Sequence, residues 1–119
     1  KLNYMSKILI ADDSQFMRGI LKDMLAEEGH EVVEAQDGKE ALKKFESAKP
    51  DLVLLDIIMP EVDGMEVLKK IGKEAKVLVI SAIGQEKMVD EAKALGALDY
   101  IVKPFENSKV METIKEALK

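Results

Sequence analysis

The sequence predicts an α/β fold in which five βα units form a doubly wound, five-stranded parallel sheet with strand order 2-1-3-4-5. Short aliphatic runs alternate along the chain with segments whose apolar residues recur at helical spacing. Three of these runs are almost entirely apolar, as expected for central parallel strands that helices cover on both faces. The length of 119 residues suits one domain of this kind.

The predicted strands are short runs rich in Val, Ile and Leu. The first, third and fourth runs are the most apolar and are therefore placed in the middle of the sheet. The second run contains Glu34 and is interpreted as an edge strand. The runs lie at residues 7–11, 31–35, 52–56, 77–81 and 99–102.

A stripe of apolar residues at helical spacing follows each predicted strand. In the first stripe, Phe16 and Met17 are interpreted as residues that face the core. Three glycines are predicted to end the first, third and fourth helices in the left-handed conformation, namely Gly29, Gly72 and Gly96. The stripes lie at residues 16–25, 41–45, 65–71, 88–95 and 110–118.

Composition narrows the classes of function. With 47% hydrophobic and 34% charged residues, the chain can bury an ordinary core. The net charge of -5, with both signs interspersed, disfavours direct binding to nucleic acid. The absence of Cys excludes disulfides and thiolate metal sites. No apolar run approaches the roughly 18 residues of a membrane span, and no signal-peptide pattern is present, so we expect a cytoplasmic protein without membrane insertion.

Met5 lies where a natural start codon would place it. Residues 1–5 are therefore interpreted as a tag remnant or a flexible N-terminus. Residues 6–119 are predicted to form the single domain, because no linker, repeat or low-complexity segment interrupts them.

Polar side chains end four of the five predicted strands. Asp12 and Asp13 follow the first strand, Asp56 closes the third, Ser81 ends the fourth, and Lys103 follows the fifth. Because function gathers at the carboxyl ends of the strands in such sheets, we expect these residues to share one site. Asp56 is the most informative of them, since a solvated loop acid rarely lies within an apolar run.

Each of these residues also has a simpler structural interpretation. Asp13 or Ser14 would make a good helix N-cap, and taken alone the acid pair is better explained by capping. Lys103 could be a solvated charge, and Ser81 a hydroxyl that turns toward the fourth helix. These interpretations are plausible one by one, but together they require surface accidents at one edge of four separate strands.

Clustered carboxylates need a cation, because two of them repel by roughly 4 kcal/mol at 4 Å and an effective dielectric constant of about 20. Oxygen ligands favour Mg²⁺ over Zn²⁺, and Mn²⁺ would substitute. His30 lies in the predicted loop before the second strand and is interpreted as a surface or helix-end residue. A metal with open positions accepts phosphoryl oxygens, and an adjacent Asp can form an aspartyl phosphate. Lys103 and Ser81 would then contact other phosphoryl oxygens.

Together these residues resemble the receiver domain of two-component response regulators. The motifs occur in the family's order from about Ser6 to the end of the chain: Asp12-Asp13, Asp56 with Met59-Pro60 and Asp63-Gly64, Ser81-Ala82, and Lys103-Pro104-Phe105. The resemblance implies a phosphorylation-activated signalling switch. Such a switch is not an enzyme in the ordinary sense, since its chemistry is limited to Mg²⁺-dependent self-phosphotransfer and autodephosphorylation.

The resemblance also implies the role of each site residue. Asp56 is implied as the phospho-acceptor and a metal ligand, with Asp13 as a direct Mg²⁺ ligand. Asp12 would act mainly through a metal-bound water, and the backbone carbonyl of Ile58 would be a further ligand. Lys103 is implied as the phosphate-binding lysine, and its peptide bond to the following proline is cis in the family.

The family's switch pair is matched by Ser81 and Tyr100. On phosphorylation the hydroxyl moves toward the phosphoryl group and the aromatic ring turns inward. This change remodels the face formed by the fourth helix, fifth strand and fifth helix. The residues expected to bind a partner on that face are Val89, Lys93, Tyr100, Val102 and Phe105.

Residues 16–18 and 81–85 resemble those of stand-alone chemotaxis regulators. This similarity implies a histidine kinase as phosphodonor, a downstream target such as a flagellar or archaellar motor switch or an adaptor, and a phosphatase. Ile58 and Ile83 depart from many chemotaxis members, which carry polar groups at these two positions. Our hypothesis is that the two aliphatic groups slow loss of the phosphoryl group by leaving the attacking water poorly oriented.

Several alternatives remain open. A haloacid-dehalogenase-type phosphatase would need Asp-x-Asp after the first strand, whereas Asp12 and Asp13 are adjacent. A flavodoxin-like flavin carrier would need a hydroxyl-rich loop in place of these acids. A docking module that works without phosphorylation would usually lack an acid, the acceptor or the lysine. A receiver of another phosphorelay would carry the same motifs as a chemotaxis regulator.

Overall fold

The alternation of strands and helices is confirmed in a computed structural model, which describes residues 5–119. Five parallel strands form one sheet with the predicted order β2-β1-β3-β4-β5. In chain order the elements are β1 (Lys7–Ala11), α1 (Gln15–Glu27), β2 (Glu31–Ala35), α2 (Gly38–Ala48), β3 (Leu52–Leu55), α3 (Gly64–Ile71), β4 (Val77–Ser81), α4 (Glu86–Ala94), β5 (Asp99–Val102) and α5 (Asn107–Ala117).

The central strands supply side chains to two apolar layers. Successive residues of a strand point to opposite faces, so Leu9 and Val53 pack toward α2, α3 and α4. Their neighbours Ile8 and Leu54 pack toward α1 and α5. The helices therefore cover both faces of the sheet, and the functional edge is formed by the loops that follow the strands.

The edges of the sheet are β2 and β5. The prediction from Glu34 is confirmed, since β2 is less buried than β1, β3 and β4. β3 ends at Leu55, one residue before the predicted end, so Asp56 begins the following loop. Its N–H still donates to the carbonyl of Ala11 at 2.9 Å, which keeps the start of this loop beside β1.

The predicted burial of Phe16 is wrong, because 78% of this residue is exposed. The inward face of α1 is set by Met17, Leu21 and Leu25, which follow one another at four-residue spacing. Phe16 is one residue, or about 100°, away from that line and projects outward.

The predicted left-handed conformation holds for Gly29 and Gly96, with φ of 85° and 116°. Gly72 does end α3 as predicted, but the predicted left-handed conformation is wrong there, since its φ of -59° is that of a right-handed helix. Gly72 is required for a different reason, namely the close approach of two backbone segments. A Cβ at Gly72 would overlap the carbonyl of Leu95, and a Cβ at Gly96 would overlap the carbonyl of Gly72.

Within residues 5–119, no helix combines the length and apolarity needed to span a membrane. The interpretation of residues 1–5 as a tag remnant or flexible N-terminus falls mainly on residues 1–4, which lie outside the described residues.

Candidate functional site

Three carboxylates meet where β1 and β3 end. One oxygen from each of Asp12, Asp13 and Asp56 lies within 4.8 Å of the others. The two strands are parallel neighbours whose last residues, Ala11 and Leu55, are paired, so the residues that follow them lie side by side. Asp12 and Asp56 are 2% and 7% exposed, whereas Asp13 is exposed. This cluster could hold a metal ion.

Lys103 connects β5 to the acidic cluster. Its Nζ donates to Asp12 Oδ2 at 2.8 Å and to Asp56 Oδ2 at 3.0 Å. Its N–H also donates to the carbonyl of Ser81 at 2.8 Å, which holds the start of the β5–α5 loop against β4. The Lys103–Pro104 peptide bond is cis, as the resemblance implies.

Burial and charge act differently on the two partners of this ion pair. Burial raises the pKa of Asp12 above its usual value, although the hydrogen bond from Lys103 lowers it. Burial alone would lower the pKa of Lys103, but the hydrogen bonds to Asp12 and Asp56 raise it above its usual value. The site thus holds three carboxylates and one ammonium group, which bonds two of them. A divalent cation would balance the remaining negative charge.

Side chains within the β1–α1 loop order the acid pair. Asp12 Oδ1 accepts a hydrogen bond from the N–H of Ser14 at 2.8 Å. Ser14 Oγ in turn accepts from the N–H of Met17 at 3.1 Å and caps α1. Of the two candidate N-caps, Ser14 therefore has this role, and the carboxylate of Asp13 joins the acidic cluster.

The β3–α3 loop packs closely against the Asp56 backbone. The N–H of Gly64 donates to the carbonyl of Ile57 at 2.8 Å, and a Cβ at Gly64 would overlap the carbonyl of Asp56. Asp63 caps α3 by accepting from the N–H of Glu66 at 3.0 Å. The Asp63-Gly64 motif thus allows the loop to pass directly behind the predicted acceptor.

Ile58 is 52% exposed, and its N–H donates to Asp56 Oδ1 at 3.2 Å. Its position beside Asp56 is compatible with the predicted ligand role of its carbonyl, which stays a prediction.

The predicted switch residues both contact the backbone of Ile83. Ser81 is fully buried, and its Oγ accepts from the Ile83 N–H at 3.2 Å. Tyr100 is half-buried, and its hydroxyl donates to the Ile83 carbonyl. Burial raises the pKa of Tyr100, and the negative charge of Asp56 adds to the rise. One peptide segment of the β4–α4 loop thus links the two side chains.

The residues expected on a partner-binding face differ in exposure. Lys93 and Val102 are exposed, whereas Val89, Tyr100 and Phe105 are half-buried. Tyr100, Val102 and Phe105 line a cavity of about 310 Å³ on this face. Their role in binding a partner stays a prediction.

His30 lies at the other end of the sheet, before β2. Its Nδ1 accepts a hydrogen bond from the N–H of Ser6 at 3.2 Å. It therefore ties the chain ahead of β1 to the start of β2, away from the acidic cluster, in keeping with its interpretation as a surface or helix-end residue.

One residue beside the cluster received no role from the sequence. Arg18 lies on α1 and donates from Nη1 to the backbone carbonyl of Asp12 at 2.6 Å. It also donates from Nε to Glu34 Oε1 at 3.0 Å. The available signal was a basic residue next to the half-buried Met17, together with an acid in the edge strand.

We expect Asp12→Asn to stabilise the metal-free protein, and to do so more strongly as the pH rises. The raised pKa of Asp12 means that the folded protein holds its proton more tightly than the unfolded chain. The protonated carboxyl of Asp12 therefore contributes its full stabilisation of the folded protein below the pKa of the unfolded chain. That contribution is lost as the pH rises through the higher pKa of the folded protein. Thermal unfolding with chelator between about pH 4 and about pH 7 measures the effect.

Asp23→Asn is the matched control, since Asp23 is an exposed acid of α1. A stabilisation by Asp12→Asn that does not change with pH, or that the control reproduces, would contradict the expectation.

Comparison with known proteins identifies the family. Residues 8–115 match the response regulator receiver domain. The chemotaxis protein CheY of Thermotoga maritima is 47% identical over 117 residues, which cover 95% of this chain and 98% of that protein. The Bacillus subtilis CheY is 47% identical over 116 residues, covering 94% and 97%.

The solved CheX–CheY–BeF3–Mg²⁺ complex of Borrelia burgdorferi includes a chain that aligns with a TM-score of 0.90 and 35% identity, covering 96% of this chain and 90% of that one. The sequence motifs, the strand order and the clustered acids thus agree with the family match. The chain belongs to the response regulator receiver domains, which are phosphorylation-activated signalling switches.

Proposed function

We propose that this receiver accepts a phosphoryl group on Asp56 from a histidine kinase, in a reaction that requires Mg²⁺. The observation that carries this proposal is the placement of a buried carboxylate, Asp56, between two further acids and the ammonium group of Lys103. No ordinary capping or surface role accounts for three acids and a lysine gathered from three strands.

The residues present fit a small, hard divalent cation. Asp12, Asp13 and Asp56 supply clustered carboxylate oxygens, and the Ile58 carbonyl would add a neutral oxygen. These are the donors that Mg²⁺ prefers, and Mn²⁺ accepts them too. When bound, the ion supplies positive charge that offsets the negative charge of the phosphoryl oxygens.

The chain's own residues supply the acceptor and a second cation. A carboxylate oxygen of Asp56 forms the new bond to phosphorus, and the bond from phosphorus to the donor's imidazole nitrogen breaks. Lys103 Nζ lies 3.0 Å from Asp56 Oδ2, so it is within reach of a phosphoryl oxygen carried by that carboxylate. The chemistry is stoichiometric, and the protein works as a regulator and not as a conventional enzyme.

Phosphorylation is transmitted through Ser81, Ile83 and Tyr100. A phosphoryl oxygen on Asp56 accepts a hydrogen bond from the Ser81 O–H, while the Ser81 oxygen accepts from the Ile83 N–H, so movement of Ser81 toward the phosphoryl group shifts the β4–α4 loop. Because Tyr100 is hydrogen-bonded to the same Ile83 residue, its packing changes with the loop. The affected surface includes Val102 and Phe105, which lie beside Tyr100 on the proposed partner face.

Chemotaxis is the pathway we favour, because relatives that match over nearly the full chain are named chemotaxis proteins. On this basis the proposed partners are a histidine kinase, a motor switch or adaptor, and a phosphatase, all in the cytoplasm. A relative solved with CheX, BeF3 and Mg²⁺ supports both the metal and a regulatory protein partner. Another phosphorelay or a phosphorylation-independent docking role is the alternative.

The direct test is intact-protein mass after incubation with acetyl phosphate, with Mg²⁺ or with chelator. We expect a gain of one phosphoryl group with Mg²⁺ and none with chelator. If the folded protein gains no phosphoryl group in excess Mg²⁺ and fails to bind beryllium fluoride, the docking alternative replaces the proposal.

We expect Ile58→Ala and Ile83→Ala each to shorten the lifetime of the phosphorylated protein, by up to about tenfold. Ile58 is exposed beside Asp56, and Ile83 lies in the loop that contacts Ser81, so truncation opens paths for the attacking water. Loss of the phosphoryl group with time, followed by mass spectrometry, measures the lifetime.

Leu98→Ala is the control, because Leu98 is similarly exposed at 51% but precedes β5 at the opposite end of that strand. Equal lifetimes in all four proteins would remove the shielding hypothesis.

A further inference from the structure

We infer that Arg18 is a positioning residue that holds the metal-binding acid pair in place through the Asp12 backbone. This inference rests on the proposed Mg²⁺ site, and it gives that site a support outside the residues that the family resemblance assigned. Arg18 is not itself a metal ligand or a contact of the phosphoryl group.

The guanidinium of Arg18 joins three parts of the fold. It projects from α1, donates to the Asp12 carbonyl in the β1–α1 loop at 2.6 Å, and donates to Glu34 of β2 at 3.0 Å. The side chain of Arg18 is 12% exposed and that of Glu34 is 34% exposed, so the guanidinium is the more shielded of the two groups. A charge-assisted hydrogen bond under such shielding is stronger than one on an open surface.

Glu34 is itself held by two lysines. Lys22 Nζ lies 3.5 Å from Glu34 Oε2, and Lys44 Nζ donates to the Glu34 backbone carbonyl. The carboxylate of Glu34 is therefore contacted from α1, and the backbone of the same residue is contacted from α2. This arrangement limits the positions that the guanidinium can take.

Fixing the Asp12 carbonyl also fixes the direction in which Asp13 leaves the loop. The peptide group is planar, so the orientation of the Asp12 carbonyl sets the orientation of the Asp13 N–H and Cα. The side chain of Asp12 already accepts hydrogen bonds from the Ser14 N–H and from Lys103 Nζ. Arg18 adds the restraint on the backbone side, where the hydrogen bonds of that side chain do not reach.

The geometry points to arginine in particular. Nε and Nη1 of one rigid, planar group address two acceptors on different elements at once. A lysine at this position would offer a single ammonium nitrogen on a flexible stem and could not hold both acceptors in the same geometry.

The experiment measures Mg²⁺ affinity of unphosphorylated protein by titration calorimetry, for wild type, Arg18→Lys and Arg18→Met. Residues that orient metal ligands typically contribute 10- to 100-fold to affinity, so we expect binding to weaken by roughly tenfold in both variants. In metal-free protein, the Ser14 amide hydrogen should exchange faster, because the loop that it closes loses a restraint.

Lys115→Met is the matched control. Lys115 is an exposed cation of α5 whose ion pair is with Glu28 and not with Glu34 or Asp12, so its removal should leave Mg²⁺ affinity and Ser14 exchange unchanged. Glu34→Gln serves as the second probe if an Arg18 variant folds poorly, and it should weaken Mg²⁺ binding less than loss of Arg18.

Folded Arg18 variants that bind Mg²⁺ as tightly as wild type would overturn the inference, even if their thermal stability fell. The same holds if Lys115→Met weakens binding equally, since the effect would then be one of general charge. Failure of wild type to bind Mg²⁺ would overturn the proposed metal site as well, so the two failures are distinguishable.

Discussion

Asp56→Asn should gain no phosphoryl group from acetyl phosphate under conditions in which wild type gains one. The amide has nearly the shape of the carboxylate and can still accept a hydrogen bond from Lys103, so we expect the variant to fold. Its oxygen is a far weaker nucleophile than a carboxylate oxygen, so the covalent step is lost. Intact-protein mass with excess Mg²⁺ measures the result.

Asp23→Asn is again the control and should be phosphorylated like wild type, because Asp23 is exposed on α1. A phosphoryl group found on the Asp56→Asn variant would refute the assignment of the acceptor. Asp13 would then be examined next, since it is the exposed member of the acidic cluster.

Among the substitutions discussed, Lys103→Met should produce the largest loss of stability in the metal-free protein. Lys103 Nζ is the cation between Asp12 and Asp56, whose side chains are 3% and 8% exposed. Removing one member of a buried ion pair typically costs 3–5 kcal/mol, so we expect a loss of about 3 kcal/mol in the free energy of unfolding at neutral pH. Denaturant unfolding with chelator measures this loss.

Two further measurements separate charge from packing in this variant. Saturating Mg²⁺ should recover much of the lost stability, because it replaces the missing positive charge. Adding Asp12→Asn to Lys103→Met should also recover stability, since fewer uncompensated carboxylates remain buried. If neither change restores stability, the loss comes from packing and not from the unpaired acids.

The strands and the main site residues could be predicted because their physical causes are local. A continuous apolar run such as 52–55 indicates a strand that is buried on both faces. In a parallel sheet, residues that directly follow the strands must lie at one edge, which places Asp12, Asp56 and Lys103 on the same side of the sheet. The predicted strand order follows from the same reasoning about which strands are most apolar.

Several residues could not be assigned in this way, because their roles depend on contacts between distant elements. Phe16 belongs to an apolar segment, yet the line of Met17, Leu21 and Leu25 decides which face of α1 is buried. Gly72 resembles a helix-ending glycine, but its requirement comes from the carbonyl of Leu95 in another part of the chain.

The sequence alone therefore determined the fold class, the strand order and the chemical character of the site, since periodicity and the residues after each strand are local properties. Tertiary structure alone decided that Ser81 and Tyr100 meet at Ile83, and that Arg18 reaches both Asp12 and Glu34. The physical reason is that hydrogen bonds require ångström-scale placement of groups from separate elements, which apolar patterning along one segment does not specify.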